Sequence, residues 1–401
     1  MIKIKKTSCI LITVLYLLIS CVGERNASES SNKITNIYLE NFLQKEDLET
    51  LSSIASEIIY IPLETNDNSL LRDIWRIVYL ENNFLISDMR NIYLFNNEGK
   101  FIKRISQKGE GPSDFTTGIS NIIIDPSTND FYLFSVDKVI KFDKDANYIR
   151  YFLIENIEEG VYQLYQNGLF TNRSTFMLGV QNRVKLYGDT STIYNAIEID
   201  SLGNIINKFI NYSPRYAQSW LRQMSNNAII YEFNSDIKFM DFGNDTIFSV
   251  IDDHMIPYVV FNLGEKKSNL IIDNSNERKF SDGYYIRKII EDESFLFFEL
   301  RDANSIIFFN CFYNKITKEL KLLKNNGLLN DLDGGITFFP QKSFDNNEFI
   351  DWKSAEEFKE EILKKNYNEY RAKYGEQFEK VYQLAKSLMD DDNPILIITK
   401  N

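Results

Sequence analysis

The residues able to carry chemistry are few. The 401-residue sequence holds one histidine, His254, and three cysteines, Cys9, Cys21 and Cys311. A single imidazole cannot build a histidine-based zinc site, and no H-E-x-x-H pattern occurs. There is no G-x-S-x-G elbow, no C-x-x-C pair and no Walker loop. His254 stands in Ile251-Asp252-Asp253-His254-Met255, a polar turn between two strand-like runs, and is expected to be a hydrogen-bonded turn residue rather than a base. Cys311 closes the apolar run Ile306–Cys311, where a thiol is expected to be buried and inert. Asp331-Leu332-Asp333-Gly334-Gly335 opens like a calcium loop but lacks the third acidic position and the closing glutamate, so a solvated turn is expected. With 57 acids in the chain, two carboxylates at glycosidase spacing arise by chance in any fold, and none can be singled out. No metal and no cofactor is expected.

The elements that must position any site repeat. Sliding the chain by 47 residues aligns two blocks without a gap: Ile77 with Ile124, Phe84 with Phe131, Ile92 with Val139, Phe95 with Phe142 and Ile102 with Ile149. Each block holds four short apolar runs parted by turn residues, in the first case Ile74–Leu80, Phe84–Asp88, Ile92–Phe95 and Phe101–Ile105. Glu81-Asn82-Asn83 and Asn97-Glu98-Gly99 are hairpin turns, rich in residues that tolerate positive φ. Four antiparallel strands at this spacing make one propeller blade. A third block follows at an offset of 57, pairing Phe142 with Ile199 and Phe152 with Phe209. Two weaker blocks cover Ala228–Leu263 and Tyr284–Leu323. A sixth blade is assembled from Glu57–Leu63, Gly335–Phe339 and Pro394–Thr399, which joins the two ends of the fold and removes the open sheet edge. Ser354–Met389 is predicted helical, with a capping box at Ser354-Ala355-Glu356-Glu357 and Gly375 as the residue at which it would split into two helices. Its stripe Phe358, Ile362, Tyr367, Tyr370, Tyr374, Phe378, Val381 and Leu388 is expected to pack on a sheet. The expected fold is therefore all-β: a six-bladed β-propeller of four-stranded antiparallel blades, with a C-terminal helical segment packed on it.

Residues 1–20 carry an address rather than fold. Lys3, Lys5 and Lys6 precede an apolar run too short, and wrongly flanked, for a confident membrane span. The run ends in Leu18-Ile19-Ser20-Cys21, which resembles a bacterial lipobox. That resemblance implies cleavage before Cys21 and acylation of its thiol, with the acyl chains giving stable anchoring. The alternatives are an ordinary cleaved signal or an uncleaved anchor with an incidental cysteine. Residues 21–35 are small and polar and read as a flexible tether, leaving 36–401 for the propeller with its helical insertion at about 354–389. No Asp follows Cys21, so an outer-membrane lipoprotein is expected, on the periplasmic face or the cell surface. Removing residues 1–20 takes away three lysines and no acids, which moves the formal charge from −12 to −15. An acidic body without a basic stretch argues against nucleic acid and anionic lipid as partners. The expected membrane contact is the lipid anchor alone.

Three short motifs then point to a family. Ile61-Pro62-Leu63-Glu64-Thr65, the loop Lys108-Gly109-Glu110-Gly111-Pro112-Ser113-Asp114-Phe115, and Asn393-Pro394-Ile395-Leu396 resemble those of the six-bladed β-propeller lipoproteins of Bacteroides and relatives. The resemblance spans about residues 36–401 and departs at Asp114, where the family has Glu. It implies fold and address, and no reaction.

Function is expected to reside on loops. Gly109, Gly111 and Pro112 read first as a structural joint between blades, with glycine allowing positive φ and proline fixing φ, and second as a ligand loop. Strand alternation puts the turn between strands two and three at the same end as the inter-blade loops. That end carries Asp88, Arg90, Lys108, Asp114, Asp137 and Lys138, a candidate binding face on a rigid scaffold; the plain alternative is that these charges only solvate loop tips. The preferred reading is a non-enzymatic binding or protein-interaction module whose partner is a glycan, a peptide or an envelope protein. The alternative is a propeller enzyme acting on carbohydrate or lactone substrates through channel-lining carboxylates. The lipobox makes a direct prediction. Cys21→Ser is expected to abolish acyl labelling and release the protein from the membrane fraction; unchanged partitioning would defeat the anchor.

Overall fold

Short apolar runs broken by Asn, Asp and Gly fold as antiparallel strands because each can bury both faces between neighbouring sheets and satisfy its backbone laterally. The computed structural model describes residues 34–40, 47–136, 138–156, 162–183, 194–210, 228–241, 244–251, 254–268, 270–272, 278–305, 307–344 and 348–400. Blade 1 consists of Arg76–Leu80, Asn83–Ser87, Asn91–Asn96 and Phe101–Gln107. Blade 2 consists of Ile119–Ile124, Phe131–Ser135, Val139–Phe142 and Tyr148–Phe152. Blade 3 runs from Tyr162–Phe170 through Phe176–Arg183 and Tyr194–Ile199 to Ile205–Ile210. Blade 4 comprises Ile229–Phe233, Asp236–Met240, Thr246–Ile251 and His254–Asn262, and blade 5 comprises Tyr284–Glu291, Phe295–Asp302, Phe308–Asn314 and Leu320–Leu322. The first strand of each blade lies innermost.

Blade 6 closes the ring. Its order from the axis outward is Lys342–Phe344, Glu348–Lys353, Ile395–Lys400 and Glu57–Pro62. The N-terminal strand pairs with the C-terminal one over six residues, from Glu57 opposite Lys400 to Pro62 opposite Ile395. One expected strand is corrected. Gly335–Phe339 is not in the blade: Phe338 exchanges backbone hydrogen bonds with Leu328, and Pro340 cannot extend a ladder. The blade's two inner strands begin instead at Lys342 and Glu348.

The repeat register has a chemical cause. The turn between strands three and four opens at Asn96, Asp143 and Asp200, which are 47 and 57 residues apart. In each, the side-chain oxygen accepts from the amides two and four residues on: Glu98 and Lys100, Asp145 and Asn147, Leu202 and Asn204. Such Asx turns replace backbone hydrogen bonds that the reversal removes. The residue at the left-handed position is Gly99, Ala146 or Gly203. At Gly99 and Gly203 glycine is required twice over, since a Cβ would also lie 2.4 Å from the Pro62 carbonyl oxygen and 2.1 Å from that of Leu153.

That close approach is the joint between blades. Glu64 donates its amide to Gly99 O and its carboxylate accepts from Phe101 N. Glu155 does the same with Gly203 O and Ile205 N. Lys103 and Arg150 reinforce the joint by donating to Asp145 O and Ser201 O of the following blade. Apolar clusters fill the spaces between blades. Blades radiate, so the gap widens outward, and large side chains are needed away from the axis. Accordingly, of the twelve largest fully buried side chains, all phenylalanine, nine lie in second or third strands.

Two additions occupy the rim near blades 4 to 6. Thr35–Tyr38 adds a fifth, parallel strand outside blade 4. The chain then bridges to the linker after blade 5 at Asp47–Leu323 and Thr50–Leu329. The helical segment is three helices, α1 (Ala355–Leu363), α2 (Tyr367–Tyr374) and α3 (Glu376–Ser387). Ser354 and Glu357 form the capping box, Asn366 caps α2, and Gly375 at φ 65° separates α2 from α3. Phe358, Ile362, Val381 and Leu388 join the cluster between blades 5 and 6 together with Leu51, Leu328 and Phe338. Removing residues 394–401 deletes the strand flanked on both sides in blade 6. The expected outcome is one cooperative unfolding transition at a clearly lower temperature; a truncated protein that melts like the parent contradicts ring closure.

Candidate functional site

The loop-bearing end of the channel is built by backbone hydrogen bonds. Asp88 is buried, and its carboxylate accepts from the amides of Arg90 and Asn91, so it shapes its turn rather than reaching a ligand. Arg90 O then accepts from Lys108 N, locking this turn to the inter-blade loop Gln107–Gly118. Within the loop, Gly109 N donates to Phe115 O, Asp114 N donates to Gly111 O, and the Asp114 carboxylate accepts from Gly111 N at 3.2 Å. Phe115 is fully buried and anchors it. Gly109 and Gly111 are not left-handed, contrary to the expectation. Their role is room, because a Cβ at either would fall 2.6 or 2.9 Å from the Asp114 carboxylate. Pro112 is exposed at the loop tip.

The candidate face therefore divides. Asp88 and Asp114 brace the loops. Lys138 donates to Gly111 O at 3.3 Å and lies over the Tyr151 ring, 5.1 Å from its centroid, tying blade 2 to the same loop. Arg90 and Lys108 are exposed. Asp137 and Cys21 lie outside the described residues.

Below these loops the innermost strands are stitched together by polar side chains. Asn121 of blade 2 donates to Gly168 O of blade 3. Asn167 of blade 3 donates to Ala228 O at the start of blade 4. Tyr231 of blade 4 donates to Glu291 of blade 5 at 2.6 Å. Lys288 of blade 5 donates to Pro340 O and Gln341 Oε1, just before blade 6. Lys342 of blade 6 donates to Ile77 O of blade 1 at 3.1 Å. Burial pushes the Lys288 ammonium down to about 8, against the pull of Asp351 and Glu299. Burial, aided by Arg76, brings Lys342 to about 8 as well. The Arg76 guanidinium sits 4.9 Å from the centroid of the half-exposed Trp75 ring and is lowered to about 10 by desolvation. None of these cations was singled out in the sequence; in the structure Arg76 and Lys342 stand at strand starts.

At the opposite end of the channel lies a buried polar cluster. Glu291, whose side chain is fully buried, accepts from Tyr231 and from Tyr258 at 2.7 Å and pairs with Lys315 at 2.6 Å. Desolvation, then the Glu291 charge, raises both tyrosines, and desolvation lowers Lys315. Lys315 also lies 3.8 Å from the Phe233 ring centroid. Every group here is engaged, so the cluster joins blades 4 and 5 and offers no lone carboxylate. His254 opens the fourth strand of blade 4 opposite Ile251, exposed. Cys311 is fully buried, and burial raises its thiol. The loop at Asp331–Gly335 is not a solvated turn: Asp333 is buried and accepts from Tyr60, Asn330 and Gly335, while Asp331 accepts from Ser52. Among the described residues no group of three His, Cys, Asp or Glu is placed to hold a metal ion.

With this geometry the chain can be set beside known proteins. A family model described as a domain of unknown function, DUF4934, matches residues 34–400. The chain belongs to the DUF4934 family. No curated protein matches it. Among solved structures, a Bacteroides fragilis protein described as exported superposes with a TM-score of 0.69 at 18% identity, covering 92% of this chain and 99% of its own. A DUF4221 member from Bacteroides vulgatus gives a TM-score of 0.46 at 14% identity, over 67% and 84% of the two chains. The first shows that the propeller fold of this DUF4934 chain is shared; neither brings a ligand.

The Glu291 cluster makes the next prediction. Glu291→Ala leaves Lys315 buried without its counter-charge and is expected to cost about 3–5 kcal/mol of stability. Chemical denaturation checks it, and a loss below about 1 kcal/mol would show that water replaces the carboxylate freely.

Proposed function

We propose that this DUF4934 chain is an exported, lipid-anchored binding propeller that recognises its ligand at the loop-bearing end of the channel without transforming it. The observation that carries the reading is the bracing of the two loops. Lys108 N on Arg90 O, and Gly118 packed against Met89 O, hold the Arg90 and Lys108 side chains outward on a frame that needs no ordering when a ligand arrives. Preorganisation of this kind lowers the entropic cost of binding. The engaged state of Glu291 weighs against the enzymatic alternative, since a buried carboxylate held by two phenols and an ammonium is poorly placed to exchange protons with a substrate. The lipobox at Cys21 supports anchoring, and the Bacteroides fragilis relative's description supports export. The partner classes are a glycan, a peptide or an envelope protein, with the membrane reached through the lipid.

Binding by this face has a direct test. A pull-down from envelope extract with the intact lipoprotein identifies a partner, whose affinity is then measured for two paired variants. Arg90→Ala with Lys108→Ala is expected to weaken binding about tenfold or more. Glu98→Ala with Asp145→Ala, at the opposite turns, is expected to leave it unchanged. The reverse pattern would place recognition at the other end.

A further inference from the structure

We infer that the partner held at the loop-bearing end is a protein segment, which packs apolar side chains on Trp75, Met89 and Val136 and sets a carboxylate against Arg90 and Lys108. The inference deepens the binding-propeller reading by choosing a peptide over a glycan, and it rests on that reading.

Three observations lead there. First, these residues share one braced frame. Trp75 N donates to Ser87 O across blade 1, and Ser87 leads through Asp88 into the Met89 turn. Met89 O packs against Gly118 at one end of the inter-blade loop, and Arg90 O holds Lys108 N at the other. Lys138, just after Val136 in the corresponding turn of blade 2, fastens that turn to Gly111 of the same loop. On this frame Trp75, Met89 and Val136 are 40%, 44% and 47% exposed, so apolar surface is displayed where the backbone is tied down. Second, Met89 is kept there at a cost. Its φ is 72°, a left-handed backbone that Asn or Gly adopts with less strain. Ser87 Oγ accepts from Met89 N, and the Asp88 carboxylate accepts from the amides of Arg90 and Asn91, so the turn enforces the conformation. A turn that only reverses the chain has no use for an exposed thioether. Strain of this kind collects where ligands are gripped, and a flexible thioether packs on varied apolar partners. Third, the Trp75 indole is held in advance: Arg76 donates to Trp75 O at 2.9 Å, and its guanidinium lies 4.9 Å from the ring centroid.

Tryptophan, methionine and arginine are side chains that protein interfaces favour. A sugar asks for something else, several polar groups converging on its hydroxyls. The described carboxylates of the two turns and the loop are Asp88, Glu110 and Asp114. Asp88 and Asp114 are committed to backbone amides, and Glu110 is the exposed one. The exposed cations Arg90 and Lys108 stand on the same frame as the apolar surface, and an acidic residue beside the apolar ones of a bound segment complements them. Their charge sets the register of the segment, while the apolar contacts carry its affinity.

The probe is a phage-displayed random dodecapeptide library, selected on the full-length protein in nonionic detergent. Enriched peptides are synthesised and titrated calorimetrically. They are expected to combine apolar residues with Asp or Glu. Trp75→Ala and Met89→Asn should each weaken binding by about tenfold or more. Thermal unfolding of Met89→Asn should show an unchanged or raised melting temperature, because Asn suits the left-handed turn; a purely structural Met89 would move stability and leave binding alone. Replacing the acidic residue of the peptide by its amide should weaken binding to the parent and make little difference to Arg90→Ala with Lys108→Ala. Should Trp75→Ala fail to fold, Met89→Asn carries the comparison. A library that yields no binder, or binders indifferent to Met89→Asn and Trp75→Ala, overturns the peptide site. If a partner from envelope extract, a glycan included, still depends on Arg90 and Lys108 in that case, the binding-propeller reading stands without it. If that dependence is absent too, both fall.

Discussion

The structure depends on one pairing, the six-residue ladder between Glu57–Pro62 and Ile395–Lys400. A ring of radial sheets has no edge along its circumference only if the last blade is complete, and this blade is drawn from both ends of the fold. Each blade buries its faces against two neighbours, so a missing strand exposes apolar surface on blade 5 and on blade 1 together. The neighbouring joints carry the closure onward. Asn393, directly before the C-terminal strand, is buried; it accepts from Leu71 N and donates to Glu64 O and Ser69 O. Glu64 in turn grips the Gly99 turn of blade 1. Around the axis, polar side chains among the described residues link successive blades at five of the six junctions.

Much of this was legible in the sequence, and the reasons are specific. The 47-residue register appeared because the same Asx turn recurs at Asn96 and Asp143 and the same inter-blade phenylalanines flank it. The helical segment showed itself through the Ser354–Glu357 box and its aromatic spacing. The three motifs that carried the family resemblance prove to be joints: Glu64 at a turn, Phe115 and the Asp114 brace under the inter-blade loop, Asn393 at the closure. They mark how blades are joined, which is why they reported fold and said nothing of a ligand. The inner strands of blade 6 were misplaced because Gly335–Phe339 is more apolar than Lys342–Phe344. Composition alone cannot show that Leu328 had already taken the backbone hydrogen bonds of Phe338.

The candidate site was legible only in part. The end of the channel followed from strand alternation, and Arg90 and Lys108 lie there exposed. Asp88 and Asp114 instead serve their own loops, a use of short acidic side chains that a charge count cannot separate from ligand binding. The buried lysines at the junctions of blade 6 were not singled out because a lysine at a strand start looks like a surface residue until ring closure wraps protein around it. The calcium-like Asp333 was read as solvated for the converse reason: its partner Tyr60 is 273 residues away in sequence.

Ring closure also sets the junction of blades 6 and 1, since Lys342 reaches Ile77 only when blade 6 stands beside blade 1. Native-state hydrogen exchange tests that dependence most directly. If closure governs the ring, the amides of Ile395–Lys400 exchange only through global unfolding, with the same opening free energy as the second strands of blades 2 and 5. Exchange of Ile395–Lys400 through a local opening several kcal/mol cheaper, while those blades stay protected, would contradict the account.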